Sequence, residues 1–248
     1  MSFCKALGLA GFAAVCLLSD ATGSAHAQCV FLSCATEWSG GKIFVLGALP
    51  GYTESRASGI NDFGQVVGRS ENGADIQATE WSAGKILDLG PGLAFGINDF
   101  GQVVGSGTGG ATEWSGGSAV SLGSLPGSWE GIPHGINDSG DVVGVSLFNG
   151  GVAYATEWSG GSIINLGGLP GSTSSDAWAI NGAGQIVGTS DVGGIAYPTE
   201  WSGGSVFRLS IGGFAYGICT ALGFWDSGLS PTPPLRWAEA VSDGIALG

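Results

Sequence analysis

The apolar and polar positions of this chain alternate in short runs that are separated by turn residues. One period gives apolar runs at residues 57–61, 65–70, 77–81 and 85–89. Asparagine, aspartate and glycine between the first two runs favour a hairpin, and Ser-Ala-Gly between the last two favours a tight turn. No segment keeps the apolar spacing of a helix. The pattern therefore predicts units of four short antiparallel strands.

Two phrases recur and set the length of the unit. ATEWS begins at residues 35, 78, 111 and 155 and PTEWS at 198, so successive copies lie 43, 33, 44 and 43 residues apart. GINDFGQVVG or a variant begins at 59, 96, 135 and 179. Four strands in about 43 residues is the spacing of a β-propeller blade. We predict an all-β, β-propeller-like array of five blades, with six blades or an open β-solenoid as alternatives.

The two ends of the array are not alike. Residues 35–46 match strands three and four of a unit, and residues 215–219 match strand one. A blade that combines strands from both ends would remove exposed sheet edges, and this closure gives five blades. One interval is only 33 residues long. We assign the difference to the crossover loop between repeats, which is reduced to Pro91-Gly92 there, whereas the other crossover loops carry Leu-Pro-Gly.

Composition and charge narrow the class of protein. Hydrophobic residues make up 44% and charged residues 11% of the 248 residues, which is ample for a core. The 49 glycines follow no collagen triplet, so we interpret them as the turns between many short strands. A net charge of −13 argues against nucleic-acid binding, which needs a basic surface.

The first 27 residues have the features of an export signal. Lys5 is followed by an apolar run at 6–18, and Ala25-His26-Ala27 has the small-x-small pattern of a cleavage site. We expect a signal peptide at 1–27, a repeat domain at 28–228 and a degenerate tail at 229–248. The expected location is extracellular or periplasmic, with no membrane span after the signal is removed.

Three cysteines remain after residue 27. Cys29 and Cys34 are five residues apart and are predicted to close a small disulfide loop in an oxidising compartment, with Cys219 left unpaired. The alternative is that Cys219 pairs with one of them. Three cysteines and one histidine do not make a convincing zinc site.

The phrases LGALPGYTESRASGINDFGQVVGRS, LGSLPGSWEGIPHGINDSGDVVGVS and LGGLPGSTSSDAWAINGAGQIVGTS resemble the HAF repeat of probable extracellular bacterial proteins. The resemblance covers residues 35–210. It implies export and a β-propeller-like array but no reaction, because the family has no established activity. The chain has Ala-Thr-Glu where the family has His-Ala-Phe before the tryptophan. The Pro-rich phrase at 231–234 is not followed by the apolar helix and basic end of the PEP-CTERM sorting tail that many relatives carry.

The Ile-Asn-Asp-x-Gly turns contain side-chain oxygens of the kind that calcium prefers. Each turn offers only two or three such ligands, and Gly182 replaces the aspartate in the last copy. Asparagine and aspartate also favour turns by bonding to their own backbone. We interpret these residues as turn formers, with Ca²⁺ binding as the alternative.

A glutamate stands before the tryptophan in every copy of the first phrase. If these side chains lie at one rim of a ring, they would form an acidic collar that holds a cation or a cationic ligand. The favoured alternative is a solvated position at the end of a strand, because unpaired charges inside would be prohibitive. The five candidates are Glu37, Glu80, Glu113, Glu157 and Glu200.

The repeated tryptophans alternate with those glutamates and therefore face the other side of the sheet. We expect them to pack between blades, and a ring of sugar-stacking residues is the second interpretation. They are Trp38, Trp81, Trp114, Trp158 and Trp201. Trp129 and Trp178 fall outside this register, near the crossover connections, and are the better candidates for contact with a ligand.

No pattern of catalytic residues is recognisable. The chain lacks a G-x-S-x-G elbow and a recurring Cys/His pair, and we expect His134 to be a loop residue. The sequence predicts a non-enzymatic binding, surface or matrix protein without a required cofactor, with an extracellular glycan as one candidate partner. The alternative is a polysaccharide hydrolase that uses carboxylates in the propeller funnel.

Overall fold

The computed structural model describes residues 33–209, and all the regular secondary structure in that range is β-strand. Seventeen strands follow one another in short hairpins. The described residues contain no helix that is long and apolar enough to cross a bilayer. The expected export signal, Cys29, Cys219 and the closing segment 215–219 lie outside the described residues.

The strands recur with the period of the sequence. In chain order they are β1 (Thr36–Ser39), β2 (Lys42–Val45), β3 (Glu54–Ile60), β4 (Val66–Glu71), β5 (Ile76–Ser82), β6 (Lys85–Ile97), β7 (Val103–Gly107), β8 (Gly110–Ser115), β9 (Ser118–Ser121), β10 (Glu130–Ile136), β11 (Val142–Phe148), β12 (Val152–Ser159), β13 (Ser162–Asn165), β14 (Ser174–Ile180), β15 (Ile186–Val192), β16 (Ile195–Ser202) and β17 (Ser205–Arg208).

Each repeat is an antiparallel meander in which neighbours along the chain are neighbours in the sheet. The orders β10-β11-β12-β13 and β14-β15-β16-β17 each form a four-stranded sheet, β1 and β2 pair alone, and β3 to β9 follow one another in a seven-stranded sheet. The strand pairings within each repeat are antiparallel, as the two-residue glycine turns between strands three and four require. The predicted all-β repeat of four antiparallel strands is confirmed. We number the repeats by their strand one, so the third repeat is β10–β13.

Strand β6 corrects one boundary that the sequence suggested. The expected break at Gly90-Pro91-Gly92 is absent, and β6 runs without interruption for 13 residues. Its first part pairs with β5 as a fourth strand, and the register shifts between Ala78 and Thr79. Gly90 and Gly92 have φ angles of 103° and 144°, so glycine lets the strand bend there instead of ending.

The first strand of a repeat carries a β-bulge. In the third repeat the register between β10 and β11 shifts between Pro133 and Gly135. The bulge presses the Ile132 carbonyl against Gly144, where a Cβ atom would also meet the Pro133 Cα at 2.7 Å. Gly68 and Gly188 meet the same arrangement in β4 and β15. These glycines lie inside strands, so glycine serves the bulges as well as the turns in which the sequence placed it.

The chain divides into two compact units, one up to Ala94 and one from Phe95. In the first unit Val66 and Trp81 are buried with Ala35, and Leu46 and Ile86 pack against them. In the second unit Trp158 packs with Val104 and Val142, and a further cluster forms around Trp201. In both units the core therefore uses the repeated tryptophan and the β-branched residues of strand two.

The first copy of the repeat is incomplete in the described range. Trp38, on β1, is 76% exposed, whereas Trp81, Trp114, Trp158 and Trp201 are 3 to 6% exposed. The neighbouring β2 side chains Ile43, Phe44 and Val45 are exposed as well. Among residues 33–209, β1 pairs only with β2, so no second strand covers this tryptophan.

Candidate functional site

The Ile-Asn-x-x-Gly turn is held by the asparagine side chain. Asn98 Oδ1 accepts hydrogen bonds from the backbone N–H groups of Phe100, at 3.1 Å, and Gln102, at 2.9 Å. Asn61, Asn137 and Asn181 make the same pair of bonds in their turns. The interpretation of these residues as turn formers is confirmed.

A side-chain relay joins each turn to the glutamate of strand three. Asn61 Nδ2 donates to Gln65 Oε1 at 2.8 Å, and Gln65 Nε2 donates to Glu80 Oε1 at 3.0 Å. The relays Asn98–Gln102–Glu113 and Asn181–Gln185–Glu200 repeat this geometry. Glu80 and Glu200 are only 9% and 4% exposed, so the expected solvated strand end is wrong for these two. Their burial is tolerated because a glutamine donates to the carboxylate.

The third repeat replaces the glutamine of the relay with Asp141. Its carboxylate accepts from Asn137 Nδ2 at 3.2 Å and from Ser159 Oγ at 2.6 Å, and it has no proton to offer to Glu157. Burial, and secondarily the negative charge of Asp141, raise the pKa of Glu157. This repeat therefore contains a like-charged pair where the others contain a hydrogen bond.

We expect the substitution Asp141→Gln to stabilise the protein at neutral pH. A glutamine at position 141 can accept a hydrogen bond from Asn137 and donate one to Glu157, as in the other three repeats. The free energy of unfolding should rise by about 1 kcal/mol. The raised pKa of Glu157 means that the folded state binds its proton more tightly than the unfolded state does. Stability therefore falls as pH rises from the ordinary glutamate range through the raised pKa. Thermal melts should show that the variant has a higher melting temperature than the unsubstituted chain at neutral pH, and that this difference shrinks as the pH is lowered.

The matched control for that measurement is Gln102→Asp, which creates the same like-charged pair with Glu113 in the second repeat. It should destabilise at neutral pH by a similar amount and introduce the same pH dependence. If Asp141→Gln leaves the melting temperature unchanged at both pH values, the pairing of Asp141 with Glu157 has no energetic effect.

The turns of the second unit also bond to one another. Asn98 Nδ2 donates to the Asn137 carbonyl at 3.0 Å, and Asn137 Nδ2 donates to the Asn181 carbonyl at 3.3 Å. The Asp99 backbone N–H donates to Asp138 Oδ1 at 3.0 Å. We call the bonds among Asn98, Asn137 and Asn181 the asparagine ladder. It joins three successive repeats at equivalent positions.

The repeated tryptophans join a repeat to the one before it. Trp81 Nε1 donates to the carbonyl of Gly47, which follows β2, at 3.2 Å. Trp158 Nε1 donates to the carbonyl of Gly123, which follows β9, at the same distance. The expected packing of the tryptophans between repeats is confirmed for these two. It is wrong for Trp38 within the described range, because that side chain is exposed.

Trp129 lies at an exposed end of the third repeat. It directly precedes β10, its backbone N–H donates to the Leu147 carbonyl at 2.9 Å, and its side chain is 61% exposed. At the same end of the sheet the rings of Phe148 and Tyr154 meet edge to face, with centroids 5.3 Å apart. We call Trp129, Phe148 and Tyr154 the Trp129 patch.

Trp178 lies in a different environment, in β14, where it is half-buried. Its ring stacks on His134, with centroids 4.4 Å apart and an interplanar angle of 7°. His134 lies in β10, so the expectation of a loop residue is wrong. The sequence placed a Pro before this histidine, but the bulge accommodates Pro133 within the strand.

The candidate side chains are distributed over the repeats. Glu37 is half-buried on β1, and the other four glutamates act within their own repeats. Within residues 33–209 no three His, Cys, Asp or Glu side chains come together in a way that could hold a metal ion. The acidic collar stays a prediction, as does the disulfide, of which only the half-buried Cys34 lies in the described range.

Sequence reasoning missed the glutamine of the relay and the residue before Gly-Ile-Asn. The signal for the first was present, since Gln stands four residues after Asn in three of four copies. The signal for the second was variation inside a constant phrase, because that position reads Ser58, Phe95, His134 and Trp178.

Comparison with known proteins gives structural likenesses alone. No protein-family model matches the chain, and no curated protein matches it. The chain is similar to the crystal structure of TolB from Acinetobacter baumannii, with 14% sequence identity and a TM-score of 0.45. The match covers 66% of this chain and 44% of that one, so the chain spans less than half the length of that protein.

Proposed function

We propose that this chain is an exported, non-enzymatic repeat protein that binds extracellular glycan through the Trp129 patch. The observation that carries the proposal is the exposure of Trp129, at 61%, in a repeat unit in which Trp114, Trp158 and Trp201 are buried. A flat indole ring with a polar N–H suits the apolar face and the hydroxyl groups of a sugar. The signal-like residues 1–27 support export.

The patch departs from the other repeats at equivalent positions. The backbone N–H of Thr53 donates to Glu71, that of Thr173 donates to Asp191, and that of Trp129 donates to Leu147. A threonine opposite an acidic residue is thus replaced by a tryptophan opposite a leucine. On a repeated scaffold, constant positions maintain the fold, and such a departure is where recognition is expected.

The substitution Trp129→Ala should weaken binding to the recognised glycan about tenfold or more, since exposed aromatic anchors dominate such contacts. The measurement is retention on immobilised polysaccharides and on a glycan array, followed by titration of the best ligand. Folding should be unaffected, because the side chain contributes little to the core.

Phe100→Ala is the matched control, since Phe100 is an equally exposed aromatic of the same unit, at 75%. It should bind like the unsubstituted chain. If the protein releases reducing sugar from the retained glycan, its function is hydrolysis and the proposal of a non-enzymatic binding protein is wrong. Retention that is equal in both variants and in the unsubstituted chain would reject the Trp129 patch.

We also propose that the repeats form a five-bladed propeller, in which residues 215–219 supply strand one of the blade that contains β1 and β2. The exposed Trp38 supports this, because its four counterparts are buried. A covering strand is the element that this copy lacks. The comparison of tryptophan variants in the Discussion tests this closure.

A further inference from the structure

One position on strand one changes from repeat to repeat while its neighbours stay the same. It precedes Gly-Ile-Asn, or Ala-Ile-Asn in the last repeat, and reads Ser58, Phe95, His134 and Trp178. In three of the repeats the register shift of the bulge falls at this residue. A bulge turns its side chain away from the regular alternation of the strand. The scaffold therefore presents a different group at an equivalent place in each repeat.

In the second unit these side chains come together. The rings of Phe95 and His134 meet edge to face with centroids 6.2 Å apart, and His134 stacks on Trp178 at 4.4 Å. All three are partly exposed, so the row is neither a sealed core nor a free surface. The three rings therefore form a partly accessible aromatic row.

The hydrogen bonds of His134 fix the role of each ring nitrogen. Nδ1 lies 3.0 Å from the Ala177 carbonyl, which can only accept, so Nδ1 carries the proton. In the neutral imidazole Nε2 is then an acceptor, and it has no bonding partner among the described residues. The side chain keeps 14% of its surface accessible.

Asp176 adds a second acceptor beside the first. Its Oδ1 lies 3.3 Å from His134 Nδ1, but that N–H is directed to Ala177, and the buried oxygen accepts no hydrogen bond within residues 33–209. A carboxylate that lacks a donor is costly to keep charged, and a ligand that donates to its accessible part would lower that cost. The carboxylate retains 25% accessibility.

The charge of the surroundings selects a cation as that ligand. Residues 95–209 carry nine carboxylates and one arginine, and that arginine, Arg208, lies 3.8 Å above the ring of Tyr197. No lysine or arginine of residues 95–209 therefore serves Asp176. Aromatic rings add attraction for an organic cation.

We propose that His134, Asp176 and Trp178 form a binding site for a protonated amine. The ammonium donates to the Asp176 carboxylate, and its carbon frame packs against the rings of His134 and Trp178. The amine belongs either to a free polyamine or to an amino sugar of a glycan, since both present the same group. The site does not depend on the Trp129 patch.

The test combines nitrogen-15 NMR of the imidazole with calorimetric titration of the full chain. NMR should show that Nδ1 of His134 carries a proton directed to Ala177, assigned by loss of the signals in His134→Gln. The titrated probes are spermidine and a glucosamine oligomer, with the N-acetylglucosamine oligomer of equal length as the neutral counterpart. Asp176→Asn and His134→Gln should each weaken binding of the amine about tenfold.

Asp191→Asn is the matched control, since it removes the same charge from the same unit, at a carboxylate that accepts from the Thr173 hydroxyl and the Gly194 N–H. It should bind the amines like the unsubstituted chain. Binding of spermidine alone or of the glucosamine oligomer alone supports the site and identifies the source. A ring without a proton on Nδ1, equal binding of the acetylated oligomer, or equal weakening by Asp191→Asn overturns it.

Discussion

The substitution Gly144→Ala is expected to destabilise the protein by about 3 kcal/mol or more and to lower its melting temperature by about 10 °C. The new methyl group would meet the backbone of Ile132 and Pro133, and a backbone cannot rotate away as a side chain can. Relief requires β10 to separate from β11, which breaks the pairing that carries the bulge. Chemical and thermal unfolding measure the effect.

Gly182→Ala is the matched control for that experiment. A Cβ atom at Gly182 has open space around it, and the equivalent positions in the other repeats hold Asp62, Asp99 and Asp138. Its unfolding free energy should change by less than about 0.5 kcal/mol. If Gly144→Ala changes the free energy of unfolding as little as this control does, the strands β10 and β11 can move apart at the bulge without a large loss of stability.

The second large effect is expected for Trp158→Ala, which should lower the free energy of unfolding by about 3 to 5 kcal/mol. The side chain is 4% exposed, packs with Val104 and Val142, and donates to the Gly123 carbonyl. The substitution leaves a cavity and removes the donor from that carbonyl. Denaturant unfolding of the full chain gives the difference in free energy.

The same substitution at Trp38 tests the closure proposed above. If the blade that contains β1 and β2 is completed in the full chain, Trp38 is buried like its counterparts and Trp38→Ala should lower the free energy of unfolding as much as Trp158→Ala. An open array would leave Trp38 exposed, and the substitution would then cost less than about 0.5 kcal/mol. Trp129→Ala, at an exposed tryptophan outside the repeated register, is the control and should be mild in either case.

The periodic features of this protein could be predicted from its sequence because they depend on local interactions. The strand order and the turn at Asn61 follow from β-branched runs separated by residues that bond to their own backbone. The packing of Trp81 and Trp158 between repeats followed from their alternation with glutamate and from their size.

The features that could not be predicted depend on contacts between strands. The glycine at position 144 is required by a bulge in the preceding strand, which the apolar pattern does not reveal. The partner of Glu80 is Gln65, which directly precedes the neighbouring strand β4, so the local pattern around Glu80 suggested a solvated carboxylate. Strand β6 continues through Gly90 because the following repeat begins before a loop can form.

The candidate site was predicted in part. Exposure of Trp129 agrees with the expectation from its position outside the repeated register, whereas Trp178 is half-buried against His134. The pairing of His134 with Asp176 joins residues 42 positions apart in different repeats, and no local pattern links them. Three departures from the repeat, Trp129, His134 and Asp141, fall in or directly before β10–β13, so the third repeat is the specialised one.

The asparagine ladder has a consequence for cooperativity in the second unit. Asn98 donates to the Asn137 carbonyl, and Asn137 donates to the Asn181 carbonyl, so each repeat supplies a donor to the backbone of the next. When one repeat unfolds, its neighbour keeps its own turn but loses a bonding partner for a buried carbonyl. The free energy of unfolding of the second unit then has two kinds of contribution, one from each repeat by itself and one from each contact between neighbouring repeats. A one-dimensional Ising chain has the same form. Unfolding from a terminal repeat breaks one such coupling, whereas unfolding from the middle breaks two.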